Sequence, residues 1–150
     1  MKTTIIFCLS MALLPLSAGT FAQEGPIKYR KGVMKAVGGH ATGIAQITHG
    51  GVGHSAHLAT HTDGLQALSK MIVTAFKEDA KPTEDVTTQA KPDIWQNWSD
   101  FEAKAEDLVQ ATAAYAATAR TGDKDMTVAK LEGVWDACKG CHKKYRKKKD

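Results

Sequence analysis

Five residues near the C-terminus, Cys138-Lys139-Gly140-Cys141-His142, constrain this chain more than any other feature. They lie in a stretch where Val128, Leu131, Trp135, Cys138, His142 and Tyr145 alternate by three and four, the spacing of one helical face. Two thiols and an imidazole are therefore predicted to point the same way from a single helix. Any fold the chain adopts must present that face to something able to use all three groups.

The spacing C-x-x-C-H is the attachment signature of c-type haem. Two thiols add across the vinyl groups to give thioethers, and the imidazole reaches the iron from the same side. The expectation is one haem c, covalent through Cys138 and Cys141, with His142 as the proximal iron ligand. Other uses of a C-x-x-C pair fit less well. A redox-active dithiol calls for a βαβ pattern, and no strand alternation is present. Zinc asks for a fourth ligand and usually a second cysteine pair. A bare pair in an oxidising compartment would close as a structural disulfide and leaves the adjoining histidine unexplained.

Three further apolar stripes precede the motif. Ile27, Arg30, Met34, Val37, Ala41, Ile44 and Thr48 trace the first, with Pro26 suited to its opening turn. Gly38-Gly39 interrupts it, at about 1 kcal/mol of helix propensity per glycine, and predicts a kink or a close approach. After His49-Gly50-Gly51-Val52-Gly53, a second stripe runs through Leu58, Leu65, Leu68, Ile72 and Ala75 or Phe76. Residues 78–92 carry two prolines and no periodicity, and form the long connection. Asp93, three residues before Gln96, reads as a capping box opening a third stripe through Ile94, Trp98, Phe101, Ala105, Leu108, Thr112, Tyr115 and Ala119. Residues 121–125 offer N-cap candidates for the fourth. The fold class predicted is all-α, an antiparallel four-helix bundle with the haem near its C-terminal helix.

At the other end, Met1-Lys2, an apolar run from Ile5 to Leu16 and the small-residue stretch ending at Ala22 read as a secretory signal peptide. The run is well short of the roughly 20 apolar residues that span a bilayer. The expected division is a cleaved signal at 1–22, taking Cys8 with it, and a bundle domain at 23–150. Export to the periplasm suits the haem motif, because such attachment takes place outside the cytoplasm. Losing Lys2 reduces the 20 Lys and Arg to 19 against 16 Asp and Glu, a formal charge of +3. That is too weak to argue for nucleic acid, and no membrane insertion is expected after cleavage. With 43% hydrophobic and 24% charged residues, the composition is that of about one soluble domain.

A C-terminal C-x-x-C-H on the last helix of such a bundle resembles the cytochrome c′ family, the class II c-type cytochromes. Tyr29-Arg30-Lys31-Gly32-Val33-Met34-Lys35 is similar to the family's Tyr-Arg-Gln-x-x-Leu/Met-Lys segment, and Lys91-Pro92-Asp93-Ile94-Trp95 to its Lys-Pro-Glu-Ile-Trp. Lys143-Lys144-Tyr145-Arg146 matches the family's end. The resemblance implies that Met34 faces the distal side of the haem, as sixth ligand or as an apolar blocker. It implies Arg30 near the propionates and Arg146 against the proximal face. It also implies a homodimer formed through the first two helices.

The function expected is single-electron transfer, reversible binding of NO or CO at the iron, or both, in a haem protein that is not an enzyme. Met34 is read as covering an open iron; a low-spin carrier ligated by Met34 and His142 is the alternative. A haem enzyme acting on NO or peroxide would need a polar acid/base group over the iron, which Met34 does not supply. His54, His57 and His61, three and four apart, are read as exposed residues, with metal binding by His57 and His61 as the other reading. The basic run from Lys143 to Lys149 is a solvated helix end that could steer an acidic redox partner.

Overall fold

The computed structural model describes residues 18–148, with side chains from residue 24 onward; the signal-like run up to residue 17 lies outside the described residues. The helices are α1 (Ala18–Thr48), α2 (Leu58–Ser69), α3 (Ile72–Ala75), α4 (Asp93–Gln96), α5 (Trp98–Ala119) and α6 (Lys124–Tyr145), with a single 3-10 turn at Ser55–His57. No strand occurs among the described residues; Ala90 and Arg146 form an isolated antiparallel bridge. The four long elements, α1, α2 continued by α3, α5 and α6, make the four-helix bundle predicted from the stripes. α5 packs on α6 and α2, and α1 packs on α2, whereas α1 and α6 scarcely touch.

Periodicity explains which faces are buried. Val33, Val37 and Ile44 of α1 meet Leu65 of α2, Phe101, Ala105 and Leu108 of α5, and Leu131 and Val134 of α6 in one core. Hydroxyl groups buried between the helices are paired, as the hydrogen-bonding rule for buried groups leads one to expect. Ser69 Oγ lies 3.1 Å from Thr112 Oγ1 across α2 and α5, and the buried Tyr115 hydroxyl lies 3.2 Å from Thr48 Oγ1. A smaller cluster of Ile27, Ala80 and Val86 fastens the long connection to α1.

Several local expectations are corrected. Pro26 lies inside α1 rather than in its first turn, because the helix already runs from Ala18. The helix passes through Gly38-Gly39, and neither glycine is closely approached. Asp93 does not cap a long third helix. Residues Asp93–Gln96 form their own turn, Asn97 breaks it at φ −127°, ψ 49°, and α5 starts afresh at Trp98 without a side-chain cap. Val128 is solvent-facing; Thr127, Leu131 and Val134 supply the buried stripe of α6 instead.

The turns behave as their residues dictate. Asp123 caps α6 by accepting from Met126 N at 2.9 Å. Gly50, after α1, and Gly122, between α5 and α6, have φ of +76° and +77°, where a Cβ would be strained.

Candidate haem-binding site

Where α1 and α6 are parted, a cavity of about 1010 Å³ opens. Small-molecule pockets run to about 1,000 Å³, so this one is of a size for a large ligand. All six residues singled out in the sequence line it: Arg30 and Met34 from α1, and Cys138, Cys141, His142 and Arg146 from α6 and its end. The helix period brings the α6 groups to one wall, and the sparse contact of α1 with α6 leaves room before them.

The wall is mostly apolar. Val37, Ile72, Phe76, Phe101, Leu108 and Trp135 contribute, so a porphyrin face would be buried against hydrocarbon and aromatic rings. Among the aromatics noted in the sequence, Phe101, Trp135 and Tyr145 reach the cavity, whereas Trp95 and Trp98 stand behind it. Trp98 packs on Phe101 with ring centres 5.4 Å apart.

Cys138 and Cys141 are free and half-buried. Burial pushes both thiols up, Cys141 to about 11, so they sit as neutral thiols in the apolar wall. His142 is held below its usual value by burial first and by the Arg146 charge second. A neutral imidazole with a free lone pair is the form that ligates a metal. The residues present therefore fit a haem: two thiols and one neutral imidazole on one helix face, opening on a large apolar cavity.

Arg30 is 1% exposed, and its contacts fix where it acts. Its Nη1 and Nη2 donate to the Glu78 and Ala80 carbonyls at 3.2 and 3.1 Å, while buried Nε has no partner. Burial lowers its pKa and Asp79 partly offsets that. The side chain thus ties the long connection to α1 and leaves one buried donor unused.

Arg146 departs from the helix that was expected to carry it. It is the C-cap of α6 in extended backbone, φ −112° and ψ 134°, not a further helical turn. Its Nε donates to Gln89 Oε1 at 2.9 Å, and Lys147 N donates to Gln89 O at 2.8 Å. A second, smaller basic cavity lies beneath His142, lined by Lys139, Lys143, Arg146 and Lys147. Sequence reasoning missed the contribution of the long connection: Thr87, Thr88 and Gln89 border the main cavity. No local pattern announces them, since their position follows from the pairing of residues 89–91 with 145–147.

The sequence matches the family model described as Cytochrome C' over residues 25–146. The chain belongs to the cytochrome c′ family. Cytochrome c′ of Rhodospirillum rubrum is 27% identical over 139 residues, covering 90% of this chain and 93% of that one. A nitric oxide complex of a variant of cytochrome c prime from Alcaligenes xylosoxidans superposes with a TM-score of 0.75 at 26% identity, over 85% of this chain and 97% of that one. A cytochrome c′ structure described as having an unusual ligand-controlled dimer dissociation gives a TM-score of 0.77 at 26% identity, over 84% and 97%. The family carries haem c covalently, and the two cysteines at its attachment spacing here are Cys138 and Cys141.

Among the described residues no helix is long and apolar enough to cross a membrane. His57 and His61 do not pair as their spacing suggested. His57 stacks on His54 at 5.2 Å, and His61 turns to His40 on α1.

Proposed function

We propose that this chain is an exported haem protein that transfers single electrons and reversibly binds NO or CO. The observation that carries the reading is the cavity between α1 and α6, onto which Cys138, Cys141 and His142 open together with Met34. When bound, the haem supplies a one-electron iron couple and a coordination position for a small uncharged gas. Cys138 and Cys141 anchor it as thioethers, and His142 is the proximal ligand, kept neutral by burial and by Arg146.

Met34, half-buried against the core, shapes the opposite side. Its flexible, unbranched thioether covers that side and can move aside for a diatomic molecule. Arg30, which borders the cavity, supplies a fixed positive charge close to a propionate. The nitric oxide complex of the Alcaligenes relative supports gas binding. Acid/base chemistry lacks a donor at Met34, which favours a carrier over an enzyme.

Residues 1–22 are read as a signal removed on export to the periplasm. Cleavage there would bring Pro26 into the first turn of α1, where its missing N–H costs nothing, instead of the interior position it holds in the full chain. A homodimer, read as forming through α1 and α2, is supported as an assembly by the relative whose dimer dissociates under ligand control. The exposed lysines around His142 suit an acidic redox partner.

Absorption spectra of the purified ferrous holoprotein before and after CO test the reading. Reversible uptake of one CO per chain is expected. A spectrum indifferent to CO would remove gas binding and make Met34 the sixth ligand.

A further inference from the structure

A pair of nitrogen donors lies away from the haem cavity, on the seam between α1 and α2. His40 and His61 meet with ring centres 5.3 Å apart and planes at 70°. Each ring rests on a glycine of the opposite helix. A Cβ at Gly43 would come 2.6–2.9 Å from the His61 ring, and one at Gly64 would come 2.7 Å from His40 Nδ1. The sequence carries the arrangement twice, as His40-Ala41-Thr42-Gly43 and His61-Thr62-Asp63-Gly64. Packing of α1 on α2 brings the two H-x-x-G segments into reciprocal contact, and only glycine leaves room for the rings.

Both Nδ1 atoms are buried and have no hydrogen-bond partner. A buried N–H without an acceptor is unfavourable, so the proton of each neutral ring belongs on Nε2 and the lone pair on Nδ1. Two imidazoles on one tetrahedral metal, at metal–nitrogen distances of about 2.0–2.1 Å, have ring centres about 5 Å apart. The observed separation meets that requirement, and both unpartnered Nδ1 atoms lie in the buried seam. His54 and His57 are as close, at 5.2 Å, but are stacked with planes 19° apart, so their in-plane lone pairs do not meet.

We infer that His40 and His61 form, through their Nδ1 atoms, a binding site for one divalent first-row metal ion, with copper(II) held more tightly than zinc(II). No third His, Cys or carboxylate completes a cluster among the described residues, so the two imidazoles are the protein's donors to the ion. The site is independent of the haem and of the reading given to it.

Titration calorimetry of copper(II) and zinc(II) into the ferric holoprotein tests this. One ion per chain is expected, with His40→Gln and His61→Gln each weakening binding by about tenfold or more. The double variant His54→Gln/His57→Gln should bind as the parent does. Electron paramagnetic resonance of the copper-loaded parent needs no variant, and should show coupling to two imidazole nitrogens. Absence of saturable binding, loss of binding in the His54/His57 variant instead, or coupling to fewer than two nitrogens would overturn the assignment.

Discussion

Arg30 and Trp95 form a buried cation–π pair, with the guanidinium carbon 5.0 Å from the indole centre. Trp95 Nε1 donates to the Phe76 carbonyl at 2.8 Å, and the Phe76 ring lies 5.8 Å from the same guanidinium. One side chain of α1 is thereby fastened to the end of α3, to the start of the long connection and to α4. All of these elements border the cavity or stand directly behind it.

Arg30→Ala removes the stacked cation and leaves the Glu78 and Ala80 carbonyls without donors. The expected loss is about 3 kcal/mol, measured by urea unfolding of the holoprotein. Arg30→Lys keeps the charge but cannot stack or bridge both carbonyls, and should recover less than half of that. Parent-like stability of Arg30→Ala would contradict this role.

Asp100 joins α5 to the end of α6. It accepts from Tyr145 Oη at 2.5 Å and from Lys144 Nζ at 2.9 Å, and these bonds, Tyr145 first, hold its carboxyl below the usual value. A carboxyl depressed on folding contributes stability above its unfolded value, near 3.9, and that contribution is lost as pH falls through the folded value. Thermal unfolding of the parent and of Asp100→Asn should therefore differ at neutral pH and converge in acid below about pH 4. A difference that grows on acidification would refute the assignment.

Two glycines should respond oppositely to alanine. Gly122 sits at φ +77° between α5 and α6, and Gly122→Ala should cost about 1–2 kcal/mol. Gly133 is exposed within α6 with nothing near its missing Cβ, and Gly133→Ala should stabilise by about 0.5–1 kcal/mol. Chemical denaturation midpoints compare the two directly.

The anchoring roles separate by mass and colour. Under denaturing mass spectrometry the parent should retain a haem, and Cys138→Ala/Cys141→Ala should not. His142→Ala should retain the haem mass while losing the parent's absorption spectrum. Loss of the haem mass from His142→Ala alone would mean that the thioethers do not form without it.

The four stripes and the placement of the C-x-x-C-H face were legible because the helical period is a local property. Ile94, Phe101, Ala105, Leu108, Thr112 and Tyr115 are buried as their spacing predicts. Features set by contacts distant in sequence were not legible. Asn97 interrupts the third stripe without disturbing its phase, so periodicity alone could not reveal the break. Arg146 leaves the helix because residues 89–91 pair with the chain there, 57 positions away for Gln89. His61 looked like a neighbour of His57 on one face, yet its partner is His40 on another helix. The repeated H-x-x-G pattern was the available signal, and it gains meaning only once α1 and α2 are known to pack together.

The central claim is an iron held by Cys138, Cys141 and His142 with an open position behind Met34. Electron paramagnetic resonance of the ferric holoprotein reads that coordination directly. A high-spin axial spectrum, unchanged in form when Met34 is replaced by leucine, is the predicted result. A low-spin spectrum that converts to high-spin in Met34→Leu would contradict it and make Met34 the sixth ligand.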